Sequence, residues 1–566
     1  MNSDKKPVRD FIQLLCEHGI QNAIITPGSR NAPFTIGLNH HPEIATHSVV
    51  DERSAAFIAL GMARQLNKPV AIICTSGTAA LNFSPAIAEA FYQRVPLLVV
   101  TADRPIEWID QGEGQSIRQR DVFKNFVKAS YEIAEEASEG DLVWYNVRLM
   151  DEAMRLTTEG VHGPVHINFP LRESLYKTTE HASDVVKTIV RADTELKLAA
   201  GELQKISDRI NSAEKVMVLA GQMHKDDGLQ KALEQFAARP NVVIMTEAHS
   251  NLAHPDFITT IDRLVMKFDD EMKAFVVPDL LITVGHNIIS RKIKDYLRNG
   301  KTEHWHVDIS GEGLDTLKHL TKVIPLSPSV FFKSMSNPAA TAANGVYKTR
   351  LLAMNDAVRS AAVDFMQKAA WTDLKAFGMI CEALPSGSDL QMGNSSVVRY
   401  VLLSDARPDI QYFGNRGVAG IDGCTSTAVG AAFVTGRLTT LISGDIGFFY
   451  DSNAFWNDMV KPNLKVIVLN NGGGGIFRII EGPASTGDAL DKFFETTHTR
   501  KAAGIATMYG LPVMEANNED DLMKGLKWLY DTDGCCVLEV NTPRLKNDGE
   551  LKTFFRAMGE VVSKIV

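Results

Sequence analysis

The sequence predicts an α/β protein of three consecutive α/β units with mainly parallel sheets. Two observations lead to this fold class. Short apolar runs typical of buried strands alternate along the chain with helical segments, which is the pattern of parallel sheets. The length of 566 residues also fits several domains of roughly 100–200 residues each. In such sheets, functional residues gather in the turns at the carboxyl ends of the strands.

The first unit is predicted over residues 1–185, as strands that each run into a polar turn. These strand and turn pairs are 21–26 with Pro27-Gly28-Ser29-Arg30, Val49-Val50 with Asp51-Glu52-Arg53, Val70–Cys74 with Thr75-Ser76-Gly77-Thr78, and Leu97–Thr101 with Ala102-Asp103-Arg104-Pro105. The repeated order of strand, turn and helix predicts a parallel sheet whose turns lie along one edge.

The second and third units are predicted over residues 186–350 and 351–566. A mixed-charge stretch at 181–200 is predicted to link the first two units, and small polar residues from Ser334 to Gly345 are predicted to link the last two. The strands of the second unit are predicted at Val216–Ala220, Val242–Met245 and Leu280–Val284.

Two polar side chains of the third unit follow apolar runs that are typical of buried parallel strands. Asp445 comes after the run at 440–443, and Asn471 comes after the run at 466–469. The 26 positions between them (471 minus 445) allow a crossover that returns the chain to the same sheet edge. A carboxylate, an amide and glycine carbonyls at that edge suit a hard cation such as Mg²⁺. The alternative is an ordinary sheet edge with glycine-rich turns.

The composition excludes several classes of function. A net charge of −9 and the lack of a basic block give no reason to expect nucleic acid binding or membrane insertion. The polar start of the chain is unlike a signal peptide, and none of the six cysteines forms a Cys-x-x-Cys, so we expect a cytoplasmic protein with reduced thiols. The chain has no Gly-x-x-x-x-Gly-Lys-(Ser/Thr), so a P-loop is not supported. No Gly-x-Gly-x-x-Gly follows a predicted strand either, which argues against a nicotinamide enzyme.

Four arginines occur in the motifs that follow predicted strands, and each of these motifs contains Gly, Ser, Asp or Asn. They are Arg30, Arg104, Arg399 and Arg416. One such arginine is usually part of a surface salt bridge, but four at strand ends favour an anion site. The planar guanidinium pairs with a carboxylate through two hydrogen bonds, so this pattern indicates a carboxylate ligand.

Nine short motifs occur in one order along nearly the whole chain. They are Pro27-Gly28-Ser29-Arg30, Asp51-Glu52-Arg53, Thr75-Ser76-Gly77-Thr78, Thr101-Ala102-Asp103-Arg104-Pro105, Gln115-x-Ile117-Arg118-Gln119, Gly393-Asn394-Ser395-x-Val397-Val398-Arg399, Asn415-Arg416-Gly417-x-x-Gly420-Ile421-Asp422-Gly423, Gly444-Asp445 and Asn470-Asn471. Together they closely resemble the 2-succinyl-5-enolpyruvyl-6-hydroxy-3-cyclohexene-1-carboxylate (SEPHCHC) synthase family of thiamine-diphosphate enzymes. The resemblance is weakest in the second unit.

The resemblance implies the thiamine-diphosphate-binding fold and a reaction of menaquinone biosynthesis. Family members decarboxylate 2-oxoglutarate and add the resulting succinyl carbanion equivalent to isochorismate, with release of CO₂. The cofactors implied are thiamine diphosphate and Mg²⁺, with Mn²⁺ as an alternative. Glu52 matches the acid at N1′ of the cofactor, and Asp445, Asn471 and the carbonyl of Gly473 match the metal ligands. Ile421 matches the apolar wedge that bends the cofactor.

Further residues of the motifs are predicted to bind cofactor or substrates. Each substrate carries two carboxylates, so the site must offer several cations. The cofactor set is predicted to include Glu52, Ser395, Ile421, Gly444, Asp445, Asn471, Gly473 and Ile476. The substrate set is predicted to include Ser29, Arg30, Arg104, Gln115, Arg291, Lys292, Ser395, Arg399, Arg416, Phe477 and Ile480. The last two, with Ile476, could keep water from the carbanion.

The second unit departs from the family pattern at one position. The family has a lysine after a glycine-containing strand end, whereas this chain has Arg291 there and Lys292 directly after it. Either side chain could therefore reach the substrate.

The resemblance also implies a homodimer or homotetramer. In the thiamine-diphosphate superfamily each site forms between the pyrimidine-binding unit of one subunit and the diphosphate-binding unit of another. Residues 1–185 would be the first of these units and residues 351–566 the second. Two alternative functions remain. An acetolactate synthase-like carboligase would use pyruvate, which carries one carboxylate and does not need several arginines. A non-catalytic binding module would not need Glu52, Asp445 and Asn471 together.

Overall fold

The structure is a computed structural model that describes residues 2–39, 41–182, 186–192, 194–265, 270–335, 345–480 and 482–565. It contains three six-stranded sheets in which every neighbouring pair of strands is parallel. The predicted fold class is therefore confirmed. Most of the linker predicted at Ser334–Gly345 lies outside the described residues. No described helix is long and apolar enough to span a bilayer.

The first domain has the strand order β3-β2-β4-β5-β7-β6, with β1 and β8 forming a separate antiparallel pair. Its strands are β1 Asn2–Ser3, β2 Asn22–Ile25, β3 Ala45–Ser48, β4 Val70–Cys74, β5 Leu97–Asp103, β6 Ser130–Glu132, β7 Val165–Pro170 and β8 Thr178–Thr179. Its helices are α1 Lys6–Glu17, α2 Ala32–Leu38, α3 Glu52–Leu66, α4 Thr78–Asn82, α5 Ser84–Gln93 and α6 Gly140–Leu156. The strand predicted at Val49-Val50 ends earlier, at Ser48, because Asp51 already caps α3.

The middle domain has the strand order β11-β10-β9-β12-β13-β14. Its strands are β9 Val216–Ala220, β10 Val242–Thr246, β11 Phe257–Ile258, β12 Leu280–Val284, β13 Glu303–Val307 and β14 Leu320–Ile324. Its helices are α7 Ala200–Ser212, α8 Asp227–Ala237, α9 Ile261–Leu264, α10 Asp270–Val276, α11 Arg291–Asn299 and α12 Pro328–Ser334. The central strands β9, β10 and β12 are buried throughout, as their continuous apolar runs predict.

The third domain has the strand order β16-β15-β17-β18-β20-β19. Its strands are β15 Asp389–Met392, β16 Gln411–Gly414, β17 Thr439–Gly444, β18 Leu464–Asn470, β19 Val513–Ala516 and β20 Cys536–Asn541. Its helices are α13 Val346–Lys368, α14 Asp373–Ala383, α15 Ser396–Val401, α16 Cys424–Thr435, α17 Asp445–Tyr450, α18 Ile476–Ile479, α19 Ala502–Met508, α20 Glu519–Asp531 and α21 Asn547–Val562. Strands β17 and β18 are direct neighbours, so their carboxyl ends meet.

The first domain packs tightly against the third through α3 and α16. Two glycines permit this contact. A Cβ atom on Gly61 would lie 2.1 Å from the carbonyl oxygen of Thr427, and one on Gly430 would lie 2.0 Å from that of Ile58. The two helix backbones therefore touch where any larger residue would separate them. Because Glu52 begins α3, this contact sets the position of Glu52 relative to the third domain of its own chain.

Candidate active site

A cavity of about 190 Å³ lies at the carboxyl edge of the third sheet, where β17 and β18 end. It contains both strand-end residues, Asp445 and Asn471, as their spacing predicts. Eight residues of the predicted sets line it, namely Ser395, Ile421, Gly444, Asp445, Asn471, Gly473, Ile476 and Phe477. Two apolar residues of α18, Ile476 and Phe477, form part of the wall. Ile480 follows that helix, is half-buried and does not line the cavity.

The Asp445 carboxylate is held rigidly at this edge. Its Oδ2 accepts the backbone N–H groups of Gly472 and Gly473, both at 2.9 Å, and its Oδ1 accepts its neighbour Ile446 N–H at 2.7 Å. Asp445 is only 2% exposed, and a ring nitrogen of His498 lies 3.3 Å from Oδ2. The carboxylate is therefore oriented before any ligand arrives.

The Asn471 side chain is oriented by Asp373, which sequence analysis did not identify. The Asn471 amide donates to Oδ2 of Asp373 at 2.9 Å, and the other Asp373 oxygen accepts the Thr542 hydroxyl at 2.5 Å. Burial raises the pKa of Asp373 to about 6. With its amide nitrogen held in this way, Asn471 keeps a buried Oδ1 that has no hydrogen-bond partner. An unpaired buried acceptor is costly, so this oxygen is suited to a cation.

The donor set fits a hard metal ion. Among the described residues, no group of three or more His, Cys, Asp or Glu side chains could hold a metal by itself. The set here instead comprises one carboxylate, the amide oxygen of Asn471 and the carbonyl of Gly473. Gly473 has a φ of +155°, and a Cβ atom there would lie 2.8 Å from the carbonyl oxygen of Glu495. Such a sparse oxygen set matches Mg²⁺, which keeps water and ligand phosphates in its shell.

Ser395 has a strained backbone at the rim of the cavity. Its φ of +69° and ψ of −122° lie in a region that residues with a side chain rarely adopt. The strain is held by neighbours, since Arg399 donates to the Ser395 carbonyl oxygen at 2.5 Å. Strain of this kind is concentrated at ligand sites, where the surrounding structure maintains it.

Three arginines predicted for substrate gather near this rim. Burial lowers the pKa of the Arg399 guanidinium, and the positive charges of Arg416 and Arg291 lower it further. Arg416 donates to Oδ1 of Asn394 at 2.7 Å, while its buried Nε has no partner. Mutual repulsion and unsatisfied donors indicate a site for an anion.

The two cations of the middle-domain motif point in different directions. Arg291 is exposed and contributes to the positive field at Arg399. The Lys292 ammonium instead lies 3.5 Å from the centroid of the Phe555 ring and donates to the carbonyl oxygen of Asp262 at 3.4 Å. This geometry favours Arg291 over Lys292 as the residue that reaches substrate.

The other predicted residues lie at the carboxyl edge of the first sheet. Arg30 is buried, donates to the Leu171 carbonyl oxygen at 2.9 Å and pairs with Glu173 at 3.1 Å. Arg104 pairs with Glu113 at 3.2 Å. Burial lowers the pKa of Arg30, and the charge of Arg104 lowers it further, so the two guanidinium groups are close. Two polar members of the set are exposed, namely Ser29 and Gln115.

Glu52 is the first residue of α3, directly after β3. Oδ1 of Asp51 caps this helix by accepting the N–H groups of Arg53 and Ser54. Glu52 is half-buried, and desolvation raises the pKa of its carboxyl group, with a further increase from Asp51. A carboxyl group with a raised pKa holds its proton more readily, which suits an acid that hydrogen-bonds to a ring nitrogen.

Thiamine pyrophosphate enzymes match the chain in three consecutive parts. The N-terminal TPP binding domain matches residues 7–123, the middle domain matches 203–392 and the C-terminal TPP binding domain matches 392–540. A SEPHCHC synthase of Flavobacterium johnsoniae is 40% identical over 97% of this chain and 98% of its own length. That of Flavobacterium psychrophilum is 42% identical over 98% and 99%, and that of Christiangramia forsetii is 39% identical over 99% and 100%.

The chain belongs to the SEPHCHC synthase family. The prediction of a thiamine-diphosphate-dependent enzyme is thereby confirmed. The cavity of this family member lies within the C-terminal TPP binding domain, apart from Asp373 and Phe377, which come from α14 and fall in the part matched by the middle domain. No sequence signal marked those two residues, because α14 lies far from the motif turns.

In this SEPHCHC synthase family member the predicted residues form two separate groups. None of the described residues of the first domain lines the cavity of the third domain. The group at the first sheet comprises Ser29, Arg30, Glu52, Arg104 and Gln115. We call these two groups the candidate half-sites, one with Glu52, Arg30 and Arg104 and the other with the cavity and the remaining cations.

Proposed function

We propose that this enzyme decarboxylates 2-oxoglutarate and adds the succinyl unit to isochorismate, giving SEPHCHC and CO₂ in menaquinone biosynthesis. The observation that carries the proposal is the cavity with Asp445 and Asn471 beside the cluster of Arg399, Arg416 and Arg291. The relatives are named as synthases of this product, and the arginines fit substrates with two carboxylates each. The substrates are small molecules, and no described feature requires a nucleic acid or membrane partner.

Asp445, Asn471 and the Gly473 carbonyl would hold Mg²⁺, or Mn²⁺ in its place, between the protein and the cofactor diphosphate. The metal would neutralise phosphate charge, with Asp445 already oriented by two backbone N–H groups. Thiamine diphosphate supplies the carbanion-stabilising chemistry when it is bound. Ile421 would press against it from the cavity wall, and Gly444, Ser395 and Ile476 would complete its binding surface.

The protein side chains would hold one proton and several carboxylates. Glu52 would exchange a proton with N1′ of the cofactor, and the burial that raises the pKa of its carboxyl group would favour that exchange. Arg30, Arg104, Arg291, Arg399 and Arg416 would pair with substrate carboxylates, aided by Ser29, Gln115 and Ser395. Ile476 and Phe477 would exclude water from the reacting carbon, which protects it from protonation.

We also propose a homodimer or homotetramer with shared active sites. The first-domain half-site of one chain would face the third-domain cavity of another, and this would unite Glu52 with Asp445. The proposal is supported by the separation of the two groups within one chain. A cytoplasmic location is supported by six free cysteines, as expected in a reducing compartment.

The reaction can be tested by measuring CO₂ release from 2-oxoglutarate by the purified protein with Mg²⁺ and thiamine diphosphate. We expect release to depend on isochorismate and to yield the succinyl adduct. An acetolactate synthase-like enzyme would instead release CO₂ from pyruvate and leave 2-oxoglutarate unchanged. That result would keep the cofactor and overturn the proposed substrates.

A further inference from the structure

The loop over residues 415–423 joins β16 to α16 and carries two residues of the proposed site. Arg416 lies near its start, and Ile421, which lines the cavity, lies near its end. Within the third domain, Asn394 holds both ends by donating to the carbonyl oxygens of Asn415 and Gly420, at 2.7 Å and 2.6 Å. Between those points, the loop is held by a residue of the first domain.

That residue is Glu89, on α5, and its side chain accepts three consecutive backbone N–H groups of the loop. Gly417 donates to Oε1 at 2.6 Å, while Val418 and Ala419 donate to Oε2 at 2.7 Å and 3.2 Å. Glu89 is 2% exposed, so these hydrogen bonds are shielded from water. Successive N–H groups that converge in this way form a concave site for an anion, and here the anion is a side chain of the same chain.

The loop backbone is shaped to fit this carboxylate. Ala419 has a φ of +63°, a left-handed conformation that costs energy for a residue with a side chain. A Cβ atom on Gly417 would lie 2.6 Å from the backbone oxygen of Glu89, so the loop approaches α5 as closely as glycine allows. The conformation of 417–419 therefore depends on Glu89 rather than on local preference.

A buried cation balances this buried carboxylate. Arg64, on α3, donates to the carbonyl oxygen of Gly414 at 3.0 Å and to Oδ1 of Asn415 at 3.3 Å, directly before the loop. Burial lowers the pKa of Arg64 to about 10, and the charge of Glu89 acts in the opposite direction. The first domain thus grips the strand end through Arg64 and the loop through Glu89.

We propose that Glu89 is a positioning residue that sets Arg416 against a substrate carboxylate by fixing the 417–419 backbone. The proposal rests on the proposed function of Arg416. A glutamine at position 89 would replace one carboxylate oxygen by an NH₂ group, which cannot accept a hydrogen bond. The loop N–H groups that donate to that oxygen would lose their acceptor. The Arg416 side chain would then be more mobile in the free enzyme, and ordering it on substrate binding would reduce the affinity.

The test is the variant Glu89→Gln, with Asp151→Asn as the matched control. Asp151 is 1% exposed and also accepts a backbone N–H, from Ile189, but it lies on α6 away from the cavity. We expect Glu89→Gln to raise the KM of the substrate that is also affected by Arg416→Ala, by about 10-fold. Asp151→Asn should leave that KM unchanged at a similar loss of melting temperature.

A double variant separates positioning from general stability. If Glu89 acts through Arg416, adding Glu89→Gln to Arg416→Ala should raise KM no further. Independent, multiplying effects would overturn the proposal, and so would an unchanged KM in a folded Glu89→Gln protein. If Glu89→Gln does not fold, Glu89→Asp, which withdraws the charge by one methylene, takes its place with the same expected results.

Hydrogen exchange gives a readout that does not need turnover. The amides of 417–419 should exchange faster in Glu89→Gln than in wild type and at wild-type rates in Asp151→Asn. If the wild-type protein does not use 2-oxoglutarate but these amides exchange faster in Glu89→Gln, the proposed function is wrong. The proposed role of Glu89 in holding the loop would then still stand. If the exchange rate of these amides is unchanged in Glu89→Gln, Glu89 does not hold the loop, whichever substrate the enzyme uses.

Discussion

The carboxyl edges of the first and third sheets hold the two half-sites, and they differ in how far they are organised in advance. At the third sheet, Asp445 and Asn471 are buried. Asp445 accepts hydrogen bonds from the N–H groups of Gly472 and Gly473, and Asn471 donates one to Asp373. At the first sheet, the arginine partners are surface carboxylates. Glu173 is 66% exposed and Glu113 is 41% exposed.

This difference corresponds to two different tasks. A metal and a diphosphate need fixed ligands, since Mg²⁺ demands a near-ideal octahedral arrangement. Substrate carboxylates must replace existing partners each time they bind. Because the carboxylates of Glu173 and Glu113 are themselves exposed, water can solvate them when a substrate carboxylate takes their place at Arg30 and Arg104. In the proposed function, the third-domain edge would therefore bind metal and cofactor with fixed ligands, and the first-domain edge would bind substrate with arginines that exchange their partners.

The largest effect is expected from Glu52, the proposed acid at the carboxyl edge of the first sheet. Glu52→Gln should reduce turnover about 10²–10⁴-fold, because it removes proton transfer at the cofactor ring. Affinity for Mg²⁺ and thiamine diphosphate should stay near wild type, since the metal ligands lie in the other half-site. Steady-state kinetics and cofactor titration by calorimetry measure the two quantities. Near-wild-type turnover would remove Glu52 from the proposed chemistry.

A smaller effect is expected at the third sheet from Asp373, which accepts a hydrogen bond from the proposed metal ligand Asn471. Asp373→Ala should free the Asn471 amide to rotate and weaken Mg²⁺ binding about 10–100-fold. Asp373→Asn is the matched control, because its amide oxygen can still accept from Asn471. Mg²⁺ titration of cofactor binding compares the two. Equal losses in both variants would mean that the charge, and not the orientation, is what matters.

The smallest effect should come from removing the surface partner of Arg30. Glu173→Gln takes away a competing carboxylate and should lower the KM of one substrate by about 2- to 5-fold at low ionic strength. The gain should shrink as salt rises, because exposed charges are screened. Kinetics at two salt concentrations test this. A higher KM would show that the ion pair organises Arg30 and does not compete for it.

The residues that could be predicted from sequence are those in strand-end turns. Asp445, Asn471 and Gly473 follow buried strands, and the topology of a parallel sheet brings such turns to one edge whatever the details of packing. The same reasoning placed Arg30 and Arg104 on the edge of the first sheet. For these residues, the pattern of strands in the sequence is enough to predict where they lie in the sheet.

The residues that could not be predicted act through tertiary contacts. Asp373 reaches Asn471 from the start of a helix 98 positions earlier in the chain, and Glu89 reaches the 417–419 backbone across 328 to 330 positions. Each is an ordinary helical carboxylate in its local sequence. Its role depends on which domain surfaces meet, and that is decided by contacts such as the one between α3 and α16. The orientation of Lys292 toward Phe555 could not be predicted either, because it also depends on a contact between distant parts of the chain.

The central claim is that the two half-sites unite across subunits, and co-expression of two inactive variants tests it most directly. Glu52→Gln and Asp445→Ala chains with different tags would be purified in tandem, so that only mixed oligomers remain. If sites are shared, one of the two sites in a mixed dimer receives Glu52 from one chain and Asp445 from the other, and up to about half of wild-type turnover returns. If each chain carries a complete site, every site in the mixture is defective and no activity returns.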